Sequence, residues 1–216
     1  FPPYLLGQLT ALLVADITGR RADKTRDGEL FHVFGHIDSN QGIDILEQEN
    51  FAPLQGKRVG LITNQTGMDR EGRRTIDVLD HAPGVKLAAI FSPEHGLSGK
   101  LDEKVASGRD AASGLPIYSL YGTVKRPTPQ MLRGLDALVY DIQDVGARYY
   151  TYQATMMLCM EAAAEAGIGF AVLDRPNPVG GLLVEGPRLR PGFESFCGMH
   201  DIAVRHGMTV GELARL

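Results

Sequence analysis

Four short apolar runs, each closed by polar residues and separated by helical or loop stretches, leave this chain few folds to choose from. Arg58–Ile62 runs into Thr63-Asn64-Gln65-Thr66-Gly67, and Val85–Phe91 into Ser92-Pro93-Glu94-His95-Gly96. Ala137–Tyr140 runs into Asp141-Ile142-Gln143-Asp144, and Ile168–Leu173 into Asp174-Arg175-Pro176-Asn177-Pro178. The runs do not alternate polar with apolar, so they read as strands covered on both faces, the habit of parallel sheets. Thr75–His81 is predicted as a helix stopped by Ala82-Pro83-Gly84. A second predicted helix begins at Pro127–Arg133 and stops at Gly134. Tyr150–Ala166, rich in Ala and Met, is the longest, with Gly167 as its C-cap. A short helix around Ile43 and Leu46 and a short strand at Pro116–Leu120 complete the pattern. Right-handed crossovers of this kind predict a Rossmann-like, doubly wound, mainly parallel α/β sheet with helices on both faces.

Residues 1–41 do not join this pattern and are read as an unassigned N-terminal segment or linker, with the α/β lobe over 42–216. Within that segment, Tyr4–Thr18 suits a helix or a strand, Gly19–Gly28 a charged loop and Phe31–His36 a short apolar run. With 216 residues and 44% hydrophobic content the chain can bury one substantial core. A formal net charge of −4, with basic residues scattered in pairs, argues against nucleic-acid binding. No apolar run is long enough to span a membrane. Tyr4–Ile17 is apolar but lacks a basic flank and contains Gln8, Thr10 and Asp16, so it does not read as a signal peptide. The start at Phe1 and the stop at Leu216 inside a helical pattern both read as cut ends. Cys159 and Cys197 can pair only in an oxidising compartment; Cys159 falls in a buried helix and is expected to pack as a free thiol.

In open α/β sheets ligands bind beyond the carboxyl ends of the strands, which is where all four polar clusters fall. Any one cluster is also ordinary turn chemistry; their convergence points to a site. Glu94 stands between a proline and His95-Gly96, a setting in which a partly desolvated carboxyl group can act as a general acid. It also suits a solvated or capping role. His95 is open to orienting Glu94, touching substrate, or packing structurally. Asp141 and Asp144 suit sugar hydroxyls, a cation or a second carboxylate, with Arg148 as the plain ion-pair alternative. Tyr149 and Tyr150 suit stacking on a pyranose ring, or core and surface packing. Asn64, Gln65, Gln143 and Asn177 offer amides to hydroxyl groups, and Asp174 with Arg175 suits either substrate or a local salt bridge. Glu185 is an isolated loop glutamate. Thr209 and Glu212 are spaced as a capping box, leaving His206 to face the cleft.

Phosphate loops, dinucleotide fingerprints, nucleophile elbows and zinc-ligand spacings are missing. No cofactor and no metal is therefore expected. A cleft of carboxylates, amides and tyrosines suits cleavage of a glycosidic bond between a proton donor and a second carboxylate. A non-catalytic sugar-binding lobe, or a metal-assisted hydrolase using Asp141, Asp144 and His95, remains open on these residues alone.

The strings GKRVGLITNQTG, FSPEHGLSG, GLPIYSLYG, YDIQDVGARYYTY, VLDRPNP, VEGP and RHGMTVGEL stand in this order over about four-fifths of the chain. On them the chain resembles the exo-β-N-acetylmuramidase, or NamZ-like, family, formerly a domain of unknown function. The resemblance implies a Rossmann-like catalytic lobe followed by a smaller C-terminal domain, whose continuation is missing here. It implies release of N-acetylmuramic acid from non-reducing ends of peptidoglycan fragments, outside the cytoplasmic membrane. Carried onto this sequence, Glu94 is expected as general acid and Glu185 as second carboxylate, with Asp141, Asp144 or Asp174 as alternatives. Arg148 or Arg175 is expected to pair with the lactyl carboxylate of muramic acid.

Overall fold

Strands that are apolar on both faces need cover on both faces, and the chain provides it from its own helices. The computed structural model describes residues 11–15, 29–32, 41–99 and 107–216. Its strands are β1 (Ala11–Ala15), β2 (Glu29–His32), β3 (Arg58–Thr63), β4 (Lys86–Ser92), β5 (Gly108–Arg109), β6 (Pro116–Ser119), β7 (Ala137–Asp141) and β8 (Gly169–Leu173). The helices are α1 (Gly42–Gln48), α2 (Thr75–Asp80), α3 (Pro129–Leu132), α4 (Tyr152–Ala166) and α5 (Val210–Leu213). The sheet order is β2-β1-β8-β7-β3-β4-β6-β5. Among the described strands only the β5–β6 pair, at one edge, is antiparallel.

Alternate residues of each central strand feed opposite layers. Leu138, Tyr140, Phe170 and Val172 join a core with Met156, Cys159 and Met160 of α4 and Val210 and Leu213 of α5. Val139, Ala171 and Leu173 join the other core, with Ile43 and Leu46 of α1 and Ile76 and Leu79 of α2. The sheet is thus doubly wound, as its continuous apolar runs predict. Helix α4 buries side chains on nearly every face, which explains why Ala and Met fill it without an amphipathic stripe. It ends at Gly167, whose left-handed φ of 67° lets its N–H and that of Ile168 turn back to Ala164 and Ala163. Cys159 is buried in that helix and Cys197 is exposed; neither forms a disulfide.

The N-terminal segment, which the sequence leaves unconnected, contributes strands to this sheet. β1 pairs in parallel with β8, Leu13 opposite Ala171, and β2 pairs in parallel with β1. A five-residue apolar run carries no local mark of a parallel partner more than 150 residues away. That is why the segment reads as a linker. The rest of 1–40, including most of the Tyr4–Thr18, Gly19–Gly28 and Phe31–His36 stretches, lies outside the described residues.

Helix α1 lies hard against the end of β8. The Gly42 N–H donates to the Asp174 carbonyl at 2.9 Å. A Cβ on Gly42 would stand 2.5 Å from the Asp174 nitrogen and 2.6 Å from the Leu173 carbonyl carbon. Those neighbours are backbone and cannot rotate away. Gly42→Ala is therefore expected to lower stability by roughly 1–3 kcal/mol, the usual range for overpacking. The measurement is the denaturant midpoint at unchanged slope; an unmoved midpoint would show that α1 can slide off the sheet.

Candidate active site at the carboxyl ends of the strands

Neighbouring strands β3 and β7 are left by connections running in opposite directions. The chain goes from β3 to β4 on one side and from β7 to β8 on the other. Such a reversal opens a crevice at the carboxyl edge. The Asn64–Gly67 and Asp141–Asp144 clusters face each other across it, joined where the Gln143 N–H donates to Thr66 Oγ1 at 2.9 Å.

Much of the polar chemistry there holds the crevice together. Asp141, wholly buried, accepts from Arg175 Nε at 2.6 Å and Nη2 at 3.1 Å, and from the Thr75 hydroxyl. Burial opposes the charge on Arg175, and the Asp141 carboxylate more than offsets it, so the guanidinium pKa sits above its ordinary value. The same guanidinium donates to Gln41 Oε1 and to the Met68 carbonyl. Asp174 accepts from the Thr209 hydroxyl and the Gly211 N–H, both at 2.7 Å, so it anchors the start of α5. Arg175 therefore pairs with Asp141 rather than with its chain neighbour.

Asp144 accepts from the Gly146 N–H at 2.7 Å and from Gln153 Nε2 at 2.9 Å. His206 Nε2 lies 3.2 Å from Asp144 Oδ2, the oxygen that also accepts from Gly146. The ring's Nδ1 accepts from the Met208 N–H, and its Nε2 also stands 3.0 Å from the Gln153 side-chain nitrogen, so both ring nitrogens are engaged inside the fold. His206 is 3% exposed. The expectation that it faces the cleft is corrected: the capping box of Thr209 and Glu212 forms as predicted, and the loop before it turns the imidazole into the core. Arg148 likewise does not pair with Asp141 or Asp144. It reaches outward, donating to the carbonyls of Pro187 and Ile202.

Other predicted residues line or brace the rim. Asn64 is buried, its Oδ1 accepting from the N–H and hydroxyl of Thr66. Its Nδ2 has no acceptor in hydrogen-bonding geometry, although the Tyr152 hydroxyl stands beside it. Gln65 is exposed, over Gly99. Gln143 braces the loops by donating to the carbonyls of Asp144 and Pro176. Asn177 ties Met208 to the β8 loop. Tyr149 is exposed beside Val179 and Arg205, at a recess of about 590 Å³. Tyr150 packs edge-on against Tyr152, ring centroids 4.7 Å apart. Burial, then Tyr152, pushes the Tyr150 hydroxyl up to about 12.

Glu94 stands apart from this internal bonding. It is half-buried at the end of β4. The Thr151 hydroxyl donates to its Oε2 at 2.6 Å, and the Tyr152 hydroxyl donates to its backbone carbonyl at 3.3 Å. His95 follows in a left-handed conformation, φ 66°, which fixes the turn. A recess of about 340 Å³ lies between Asn64, Met68, Ile76 and Leu97; Glu94 does not line it. Glu185 lies on an exposed loop, paired with Arg205 at 2.6 Å. Among the described residues no hydrogen bond links Glu185 to Glu94. Nor do Asp141, Asp144 and His95 gather into a set of ligands; no group of three or more metal-binding side chains forms among the described residues.

Residues 59–216 match the family model described as exo-β-N-acetylmuramidase NamZ, N-terminal. The chain belongs to this family. It is 51% identical over 177 residues to the peptidoglycan β-N-acetylmuramidase NamZ of Bacillus subtilis (strain 168), covering 81% of this chain and 43% of that protein. Crystal structures of two DUF1343 family proteins from Bacteroides fragilis NCTC 9343 share its fold. One has a TM-score of 0.76 at 50% identity, covering 82% of this chain and 44% of the other. The second has a TM-score of 0.69 at 38% identity, covering 82% and 45%. The chain thus spans less than half the length of the relatives it matches.

Within this NamZ-type lobe the residues that sequence reasoning missed are threonines and one glutamine: Thr66, Thr75, Thr151 and Gln153. Gln153 carried a signal, as the lone amide in a helix rich in Ala and Met. Arg205, the partner of Glu185, also went unremarked. The buried Asp141–Arg175 pair should be costly to break. Arg175→Met leaves Asp141 buried without its cation, and a loss of about 3–5 kcal/mol is expected in urea unfolding. A loss below about 1 kcal/mol, as for an exposed pair, would mean that water reaches the carboxylate.

Proposed function

We propose that this chain is a catalytic lobe for hydrolysis of β-linked N-acetylmuramic acid at the non-reducing ends of peptidoglycan fragments, with Glu94 as the general acid. The observation that supports it is how the carboxylates divide. Asp141, Asp144 and Asp174 spend their oxygens on internal donors. Glu94 is held through Oε2 alone, leaving Oε1 without a partner among the described residues. A proton donor must present a hydroxyl toward the glycosidic oxygen, and of these four carboxyl groups only Glu94 has an oxygen to spare.

Glu185 is the proposed second carboxylate, since it is exposed and its only partner among the described residues is Arg205. A second carboxylate stabilises positive charge at the anomeric carbon or takes a proton from the attacking water. Arg148 is proposed to meet the lactyl carboxylate, because Arg175 is consumed by Asp141 while the known bonds of Arg148 use Nη1 alone. Peptidoglycan fragments lie outside the cytoplasmic membrane, so the proposed place of action is extracytoplasmic.

The test is release of free N-acetylmuramic acid from a muramic-terminated disaccharide by the full-length protein and its Glu94→Gln variant. A loss on the order of a hundredfold or more is expected, as for removal of a general acid. Binding of the disaccharide without release by the unaltered protein would instead make this a sugar-binding lobe.

A further inference from the structure

Thr151 occupies the N-cap position of α4, where a threonine hydroxyl ordinarily accepts a hydrogen bond from the first turn of its own helix. Thr128 and Thr209 do this at the starts of α3 and α5. Thr151 makes no such bond, and its backbone is helical, φ −67° and ψ −13°, rather than extended. Its hydroxyl points away from the helix and donates to Glu94 Oε2 at 2.6 Å, across 57 residues of sequence. The next residue, Tyr152, holds the Glu94 main chain. Adjacent residues at the start of the longest helix thus hold one glutamate by its side chain and its backbone.

We infer that Thr151 is the positioning residue for Glu94, selecting which carboxyl oxygen carries the acidic proton and strengthening its hold as that proton leaves. The inference rests on the reading of Glu94 as general acid. With the Thr151 O–H donated to Oε2, that oxygen is the carbonyl of the neutral acid, and the proton sits on Oε1. In the reaction the Oε1–H bond breaks and the proton passes to the glycosidic oxygen. The bond from that oxygen to the anomeric carbon breaks, and its electron pair stays with the departing sugar as a hydroxyl. Water supplies the new oxygen on the anomeric carbon, and the second carboxylate takes the water's proton. Glu94 is left as a carboxylate, to which a hydroxyl donates roughly twice as strongly as to a neutral acid. The gain appears as the proton leaves, so it belongs to the transition state and acts on kcat rather than KM.

A role in proton donation depends on the leaving group, whereas a structural role does not. The full-length protein and its Thr151→Val, Thr151→Ser and Glu94→Gln variants are compared on two substrates. One is the muramic-terminated disaccharide, whose sugar must be protonated as it leaves. The other is a nitrophenyl β-N-acetylmuramide, whose acidic phenol leaves unaided. Thr151→Val is expected to lower kcat on the disaccharide by about tenfold or more with KM little changed, as for an interaction made only in the transition state. On the nitrophenyl substrate a fall of less than about threefold is expected, and Thr151→Ser should restore most of the disaccharide activity. Added to Glu94→Gln, Thr151→Val should cost nothing further, because the two act as one unit. Equal losses on both substrates, or a serine variant as impaired as the valine one, would overturn the role and leave Thr151 a packing residue. An unaltered protein inert on both substrates would overturn the glycosidase reading itself, and this role with it.

Discussion

The carboxyl edge of this sheet depends on one buried ion pair. Asp141 ends β7, and Arg175 follows β8, the adjacent strand. Their bonds bind those two strands, the start of α2 through Thr75, and the Met68 loop after β3. Two opposite charges removed from water attract strongly, but each has lost its hydration and must be compensated in full. Here compensation comes from a hydroxyl, an amide oxygen and a main-chain carbonyl as well as from the partner charge. Three loops that would otherwise be free to diverge at the strand reversal are therefore fixed to one point. The geometry of the crevice follows from that point.

The same economy governs the other acidic residues and separates those bonded inside the fold from those at its rim. Asp174 holds the start of α5, and Asp144 joins the Gly146 turn, Gln153 and His206 into one buried network. A carboxylate already accepting several short bonds from fixed donors is poorly placed to receive or deliver a proton, because each transfer would strand a donor. Glu94 and Glu185 sit instead at the rim, each with one side-chain partner among the described residues. Identical chemical groups beyond the carboxyl edge of one sheet thus differ in how many oxygens they leave unbonded, through burial and donor count alone.

That division also marks how far the sequence could be read. Strands β3, β4, β7 and β8 and helix α4 were legible because continuous apolar runs and glycine stops are local signals. Strand β1 was not, because pairing with β8 leaves no trace in either segment. At the site, the convergence of four polar clusters was legible, and so was the separate standing of Glu94 between Pro93 and His95. The partners were not. Arg175 sits beside Asp174 in the chain yet pairs with Asp141. Arg148 sits a few residues from Asp144 yet bonds to carbonyls of Pro187 and Ile202, and His206 turns inward. In each case the choice is made by which loops the sheet order brings together, and that order is not written in any one loop. Thr151 was hidden for a related reason: a threonine before a long helix reads as a cap, and only the fold shows its hydroxyl used elsewhere.

The tyrosines at and behind the start of α4 bear on the chemistry as well. Burial above all raises the hydroxyl pKa values of Tyr140, Tyr150 and Tyr152 above their ordinary range; neighbouring charges add to it at Tyr140, and Tyr152 adds to it at Tyr150, whereas at Tyr152 the contacts with Asn64 and Tyr150 partly offset it. Near neutral pH these three are phenols, able to donate a hydrogen bond or present an apolar face, but too weakly ionised to serve as nucleophile or base. Tyr152 behaves accordingly, donating to the Glu94 carbonyl while its ring packs on Tyr150. That agrees with the proposal that a carboxyl group carries the proton, and Tyr152 helps to hold the glutamate in place. Helix α4 brings its start against the glutamate through two neutral hydroxyls, those of Thr151 and Tyr152.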